Sequence, residues 1–226
     1  MFSYESSEID WCEKNYVYSN YIAEFWNTIS NIPYILILFI SLQTFRFLPC
    51  KNNDKLLHSL LLVTGISSAY FHATLSLFAQ LLDEFSIILL LTNTLLIIFK
   101  NKTTKLCIKT YVCIHLISMW YFPFINIPVL FGMGFIILYR LRHVLKNFNE
   151  NSHKKYWLYS QYLFFSSVIC WISDHILCDT LPFIQFHAIW HLLSAICAYY
   201  SILVGLFVEY NNNYKESNDK YLGSIE

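Results

Sequence analysis

The chain has 226 residues, of which 56% are hydrophobic and 13% are charged, and its mean hydropathy is +0.44. Soluble domains carry about twice that share of charged residues, so this composition excludes an ordinary soluble protein and indicates a membrane protein. The formal net charge is zero, which excludes the strongly basic surface that a nucleic-acid partner requires. The first twenty residues are acidic and lack the apolar run of a secretory signal, so we expect the first span to stay in the protein.

Seven apolar stretches follow in chain order, and the first is long enough to cross a hydrocarbon core of ~30 Å at ~1.5 Å per residue. The predicted spans are approximately 26–45, 56–77, 80–99, 106–121, 123–139, 157–177 and 186–208. Polar loops are expected at 46–55, 100–105 and 140–156. The sequence therefore predicts an all-α protein with one domain, residues 1–226. It comprises an acidic segment (1–25), a seven-transmembrane helix bundle (26–208) and a polar tail (209–226).

The basic residues predict how the bundle is oriented. Of the fifteen Lys and Arg residues, all except Lys14 fall in one alternating set of loops and in the tail. Because cytosolic loops carry the excess of Lys and Arg, the N-terminus is expected to be lumenal or exoplasmic and the C-terminus cytosolic. We expect a multi-pass protein of the endoplasmic reticulum or Golgi membrane.

The same topology sorts the seven cysteines. Cys12 and Cys178 are the two that face the oxidising side, since the others lie within spans or at the cytosolic boundary. A disulfide between them would tie the N-terminal segment to the loop before the seventh span. Two free thiols are the alternative.

Two histidines stand four residues apart at the start of the seventh span. His187 and His191 therefore leave one helix face and can bind one metal ion, although a histidine on an apolar face is also compatible with a role in the core. In the predicted topology, His72, Ser68 and Asp83 lie at the same lumenal depth. Ionisable groups within a bilayer are costly and mark functional sites, so this shared depth predicts a metal site.

Three neutral imidazoles with an open fourth position are typical of catalytic zinc, which acidifies water and polarises the carbonyl of an amide or ester. Asp83 is suited to exchange the proton, and Ser68 to donate a hydrogen bond to the oxyanion. A serine bonded to its own helix and a carboxylate near a helix N-terminus are the structural alternatives. A serine-hydrolase triad of Ser68, His72 and Asp83 would leave the other two histidines unexplained.

Two further acidic features are candidate sites. Asp174, on the sixth span, lies near the same face and would either orient a ligand histidine or bind a substrate hydroxyl. The N-terminal segment concentrates oxygen ligands that suit a hard cation such as calcium, whereas an acidic tail that is simply solvated is the alternative. These ligands are Asp10, Trp11, Glu13, Asn15 and Glu24.

Several separate motifs, in order and in register over essentially the whole chain, resemble the alkaline ceramidase family. They are Asp10-Trp11-Cys12-Glu13-x-Asn15, the run Tyr21-Ile22-Ala23-Glu24-Phe25-Trp26-Asn27-Thr28, Ser68-x-x-x-His72, Gln80-Leu81-Leu82-Asp83-Glu84, Trp171-x-x-Asp174 and Gln185-Phe186-His187-Ala188-x-Trp190-His191. The resemblance implies a seven-helix membrane amidase that cleaves the N-acyl bond of ceramide to a sphingoid base and a fatty acid.

The resemblance also implies roles for single residues. The zinc ligands would be His72, His187 and His191, with Ser68 at the oxyanion and Asp83 handling the proton. Calcium, in a regulatory or structural role, would bind the five N-terminal residues named above. The alternative is a non-enzymatic seven-helix receptor of the progestin and adiponectin receptor group. The acidic N-terminal motif and Ser68, four residues before His72, favour the ceramidase family instead. A metal-ion transporter is disfavoured because its ligands would be spread across the membrane.

Overall fold

The computed structural model describes residues 1–44, 53–146 and 151–222. Within these ranges the chain forms helices and no strand. The helices are α1 (Phe25–Ile29), α2 (Ile32–Thr44), α3 (Asn53–Thr74), α4 (Leu77–Ile98), α5 (Lys102–Ser118), α6 (Asn126–Leu145), α7 (Asn151–Ile176) and α8 (Phe186–Leu222), with a 3-10 turn at Pro123–Ile125. The short α1 and α2 together occupy the first predicted span, so the predicted all-α fold with seven long helical stretches is confirmed.

Four stretches are long and apolar enough to cross a membrane. They are Lys55–Thr74, Leu77–Ile98, Pro123–Leu145 and Phe186–Asn211. Phe25–Ile40 is a shorter apolar stretch, and the other described helices fall below the same length or hydropathy. These four stretches lie in α3, α4, α6 and α8, and they support the prediction of a membrane protein.

The third predicted span begins earlier than the sequence indicates. Its helix, α4, starts at Leu77 rather than near Gln80, because the Ser76 hydroxyl caps it by accepting a hydrogen bond from the Ala79 N–H at 3.2 Å. A span that starts near Gln80 would have Asp83 in its first turn, and this prediction is wrong because Asp83 lies in the second turn of α4. The shift moves Asp83 deeper into the bundle.

Other boundaries differ for similar reasons. Asn101 caps α5 by accepting from the Thr104 N–H at 3.2 Å, so the helix starts four residues before the predicted 106. The predicted loop 140–156 is mostly helical, since α6 ends at 145 and α7 begins at 151. Most of the predicted loop 46–55 lies outside the described residues, as do 147–150.

The polar tail predicted from residue 209 is a continuation of α8. The helix runs on to Leu222, well past the apolar stretch that ends at Asn211. No glycine or proline occurs between 209 and 222, so nothing in this part of the sequence breaks a helix before Gly223.

The helices pack mainly as neighbours in sequence, with α7 along α8 and α3 along α4. α2 approaches α3 closely because Gly65 has no side chain: a Cβ there would lie 2.6 Å from the Cβ of Tyr34. One apolar cluster joins α4, α5, α6 and α8, and includes Ile88, Leu141 and Val204. A second cluster joins α2, α3, α4 and α8. A third, smaller cluster of Ala23, Phe71, Leu75 and Ala79 lies where α3 ends and α4 begins, next to a group of buried polar side chains.

This polar end, where α3 and α7 end and α4 and α8 begin, is called the site end below. The N-terminal segment lies over it, with the Ser7 N–H donating to the Leu75 carbonyl at 2.8 Å and the Ala23 N–H to the Ala73 carbonyl at 3.0 Å. A disulfide joins Cys12 to Cys178, whose Cα atoms are 5.3 Å apart. Residues 1–24 are thus part of the folded structure and cover the site end.

Candidate metal centre and catalytic site

Three histidines meet at the site end. His187 and His191 lie one turn apart at the start of α8, and His72 lies near the end of α3. Their candidate ligand nitrogens all lie within 4.8 Å of one another, and each residue is only 1% exposed. Across residues 1–44, 53–146 and 151–222, no other group of three His, Cys, Asp or Glu side chains is close enough to share an ion. The arrangement fits a single metal ion bound by three imidazoles.

Hydrogen bonds to the far side of two rings fix which nitrogen faces the centre. The Nδ1 atom of His72 lies 2.5 Å from Oε2 of Glu24, and Nδ1 of His191 lies 2.7 Å from the Ser30 hydroxyl. The Nε2 atom of each ring remains for a metal, as is usual for ligand histidines whose other nitrogen is bonded. Nε2 of His72 also lies 3.3 Å from Nε2 of His187.

The third ring is held differently. The Trp11 indole stacks on His187 with ring centroids 3.6 Å apart and planes inclined by 30°. The Nδ1 atom of His187 is buried and has no hydrogen-bond partner among the described residues. Stacking and the backbone therefore orient this imidazole, and one of its nitrogens still lacks a partner.

Ser68 and Asp83 lie beside the histidines. The Ser68 hydroxyl is 3.5 Å from Nε2 of His191 and also lies next to the Asp83 carboxyl group. Asp83 is buried, and its Oδ1 atom has no hydrogen-bond partner in the described part of the chain. The site thus contains a carboxyl oxygen that no protein donor occupies.

The serine-hydrolase alternative is not assembled. In such a triad the histidine would bridge the serine and the aspartate. Here the outer nitrogen of His72 is bonded to Glu24 instead of Asp83, and Ser68 lies against His191. The arrangement fits a metal centre with an acid beside it better than a serine-hydrolase triad.

Asp174 contacts the backbone at the start of α8. Its Oδ1 accepts from the His187 N–H and its Oδ2 from the Cys12 N–H, both at 3.1 Å. The side chain is buried, with 2% exposed. Both carboxyl oxygens are therefore used to join the N-terminal segment to the first turn of α8, and the contact to His187 is through its main chain and not its ring.

The acidic N-terminal residues lie near enough for their charges to interact, but Glu13 and Glu24 are already bonded within the fold. Glu13 caps α1, accepting from the backbone N–H groups of Trp26 at 2.7 Å and Asn27 at 2.8 Å. Glu24 accepts from the Trp11 N–H at 3.2 Å in addition to its bond to His72. Asp10 is exposed. These three carboxylates do not form a group comparable to that of the histidines.

Burial raises the pKa of two of them. Loss of water raises the pKa of Glu24 to about 8, and neighbouring carboxylates at Asp10 and Asp174 add to the rise. Burial likewise raises the pKa of Glu13, against the hydrogen bonds from α1, and the charge of Glu24 contributes. A nearby amide oxygen, Oδ1 of Asn15, is buried without a hydrogen-bond partner among the described residues. A cation would stabilise the ionised carboxylates and satisfy this oxygen.

A cavity of ≈200 Å³ runs from the histidines into the bundle. Its polar end includes His72, His187 and Asp83, and its other end includes Ile137 and Leu138 of α6. Thr94, eleven residues after Asp83 on α4, also lines it, which corresponds to a depth of about 16 Å at 1.5 Å per residue. The cavity is polar at the site end and almost wholly apolar beyond it.

Two features of the site are not predicted from the sequence. Ser30, the partner of His191, gives no signal because a serine near a helix start is common. Glu84 lines the cavity beside Asp83 and is bonded by the side-chain amides of Gln80, at 3.0 Å, and Asn126. A second acid within an apolar span was a signal for Glu84, but no partner could be identified from sequence.

Comparison with known proteins identifies the family of this chain. The sequence profile of the ceramidase family matches residues 3–224. Alkaline ceramidase of Drosophila melanogaster is 34% identical over 86% of this chain and 74% of its own length. Alkaline ceramidase 1 of Mus musculus and of Homo sapiens are each 31% identical, over 92% and 93% of this chain and 82% and 86% of their own lengths. The chain therefore belongs to the ceramidase family.

Proposed function

We propose that this protein hydrolyses the N-acyl amide bond of ceramide, releasing a sphingoid base and a fatty acid, with zinc as its catalytic cofactor. The observation that carries the proposal is the position of the three buried histidines, at the polar end of a long apolar cavity. A lipid amide suits this arrangement, because its hydrocarbon chain can enter the cavity while its polar group stays at the histidines. Family membership and the names of the relatives support ceramide as the substrate.

The residues present fit a zinc ion. His72, His187 and His191 would hold it, since three neutral imidazoles with their inner nitrogens converging are a common ligand set of catalytic zinc. Bound there, zinc would supply Lewis acidity that makes water a better nucleophile and polarises the amide carbonyl. Glu24 and Ser30 keep two of the rings in the orientation that this binding requires.

Asp83 and Ser68 supply the remaining groups. As water attacks the carbonyl carbon, the free carboxyl oxygen of Asp83 accepts one proton and then returns it to the nitrogen when the C–N bond breaks. The Ser68 hydroxyl donates a hydrogen bond to the negative charge that develops on the carbonyl oxygen. Trp11 and the N-terminal segment cover the site end and restrict the access of bulk water.

We also propose that calcium binds the N-terminal segment through Asp10, Glu13, Asn15, Glu24 and the backbone carbonyl of Trp11. Two observations support it: the partnerless amide oxygen of Asn15 and the mutual repulsion of the buried carboxylates. Hard oxygen ligands of this kind suit calcium. Its role would be structural or regulatory, since the segment both covers the site and bonds His72 through Glu24.

The proposed membrane orientation places the site end in the lumen of the endoplasmic reticulum or Golgi. Basic residues at the opposite end of the bundle support it, including Lys100 and Lys102 where α5 begins and Arg140 and Arg142 in α6. The disulfide at the site end agrees with an oxidising compartment. Ceramide in the lumenal leaflet would then reach the histidines from the bilayer.

Lipid product analysis on purified protein tests the proposed reaction. We expect a ceramide panel to yield sphingoid base and fatty acid in equal amounts, with turnover lost on chelation and recovered when zinc is added back. The matched control is the substitution His143→Ala, an exposed histidine near the end of α6, which should leave turnover unchanged. Absence of hydrolysis in every ceramide, or full hydrolysis after verified metal removal, would contradict the proposal.

A further inference from the structure

One contact in the cavity wall depends on the absence of a side chain. Gly134 of α6 and Phe164 of α7 both line the cavity. A Cβ added to Gly134 would lie 2.7 Å from Cε2 and 3.1 Å from Cζ of Phe164. Such distances are too short for carbon atoms, so the phenyl ring lies directly against the bare backbone of α6. Even a methyl group at position 134 requires the ring to move.

This contact stands well inside the cavity. Asn126, bonded to Glu84 at the level of the catalytic site, precedes Gly134 by eight residues of α6, or about 12 Å. On α7, ten residues separate Phe164 from Asp174, or about 15 Å. Ile137 and Leu138 lie beyond, at the far end of the cavity. A hydrocarbon chain that extends from the histidines must pass Gly134 and Phe164 to reach that end.

The surroundings of the ring determine where it can go. Phe135 and Phe165 flank Phe164, with ring centroids 5.1 and 5.8 Å away, and each is 47% exposed on the outer surface. Another part of the cavity wall is one face of α8 with small side chains. It comprises Ser194, Cys197, Ala198 and Ser201. Aromatic rings therefore occupy the outer side of Phe164, whereas its other side faces the cavity, where small side chains form part of the lining.

We propose that the contact between Gly134 and Phe164 sets the length of the hydrocarbon chain that the cavity accepts. Gly134 lets the ring lie back against α6 and leaves the passage to Ile137 and Leu138 open for a long chain. A side chain at position 134 turns the ring into the passage and shortens the cavity. This inference rests on the proposed function, since the chain in question is one of the two hydrocarbon chains of ceramide.

The test compares two glycines of one helix. Gly134→Ala introduces the clash, whereas Gly132→Ala adds the same methyl group where nothing lies within 4 Å. Turnover is measured on ceramides with one sphingoid base and graded acyl chains, and on ceramides with one acyl chain and graded bases. The substrate series in which Gly134→Ala changes the length preference identifies which hydrocarbon chain of ceramide occupies the cavity.

We expect Gly134→Ala to lower the ratio of long-chain to short-chain turnover at least about tenfold. This factor is the lower end of the discrimination that one methylene group produces in an apolar pocket. Gly132→Ala should keep the wild-type ratio. Phe164→Ala should shift the ratio in the opposite direction, and it keeps the proposal testable if Gly134→Ala does not fold. An unchanged ratio in both panels, or an equal loss at every chain length, would overturn the proposal.

A second readout separates this inference from the proposed reaction. Thermal stabilisation of the same variants by fatty acids of graded length requires no hydrolysis. If wild-type protein cleaves no ceramide but Gly134→Ala shifts the stabilising chain length downward, the reaction fails and the length limit stands. If ceramide is cleaved and neither readout shifts, the length limit fails and the reaction stands.

Discussion

The site end holds two polar clusters that differ in how their ligand atoms are used. In the histidine cluster, the outer nitrogens of His72 and His191 are bonded to Glu24 and Ser30, and the inner nitrogens are left facing one another. In the acidic N-terminal cluster, both oxygens of Glu13 accept hydrogen bonds from backbone N–H groups of α1, so the carboxylate caps this helix. The inner nitrogens of the histidine cluster therefore remain available to a ligand, whereas oxygens of the acidic cluster already accept hydrogen bonds that stabilise the fold.

This difference predicts separate consequences for substitution. Changes among the residues around the inner nitrogens should remove catalysis from a protein that still folds. Changes in the acidic segment should first lower stability, because its carboxylates hold α1 and the cover of the site end in place. Activity and stability measured on the same variants therefore test this difference between the two clusters.

The largest expected effect is that of Asp83→Asn. The substitution keeps the size of the side chain but removes its ability to accept and return a proton, a function worth about 10²–10⁴ in rate. We expect a loss of turnover in that range, with zinc content and thermal midpoint close to those of the wild type. Turnover within a few-fold of wild type would exclude Asp83 as the proton-transfer group.

The next effect is that of Ser68→Ala, for which the chain offers a close control. Removing one donor to an oxyanion typically costs about 10²–10³ in kcat. Ser67, its neighbour on α3, hydrogen-bonds the Ser86 hydroxyl at 3.0 Å and donates to the Thr64 carbonyl at 3.1 Å, whereas Ser68 contacts His191. We expect Ser67→Ala to retain most of the turnover that Ser68→Ala loses. Equal losses in the two variants would show that Ser68 acts only in packing.

A smaller effect, on stability, is expected for Glu13→Gln. The amide cannot accept from both the Trp26 and the Asn27 N–H groups, and a hydrogen bond to a charged group contributes about 1.5–3 kcal/mol. Thermal unfolding with and without calcium measures both consequences, a lower midpoint and a weaker response to calcium. Glu5→Gln, an exposed acid in the same segment, is the control. A full calcium response in Glu13→Gln would contradict the proposed calcium site.

The sequence predicts the fold well because the apolar stretches are long and the basic residues mark their ends. It places α4 and α5 less well, since single capping residues, Ser76 and Asn101, extend the helices by several residues beyond the apolar run. The helical tail after 209 is missed for a related reason. Polarity suggests a free tail, whereas the backbone has no residue that stops a helix before Gly223.

The histidines are predictable because two of them share a helix face, and because helix direction brings His72 to the same end. The contacts behind them are not, since they depend on side chains far apart in sequence. Glu24 reaches His72 across 48 residues, and Ser30 reaches His191 across 161. Nor does the sequence show that Gly134 faces Phe164, because the register of α6 against α7 follows from packing alone.

Zinc content measured together with turnover, on the same purified preparations, tests the histidine centre most directly. Elemental mass spectrometry on wild type, His187→Ala and the exposed control His143→Ala provides the comparison. We expect equimolar zinc and ceramide hydrolysis in the wild type and in His143→Ala. In His187→Ala, which should still insert into the membrane, we expect both to be lost. Equimolar zinc or wild-type hydrolysis in His187→Ala would contradict the three-histidine centre.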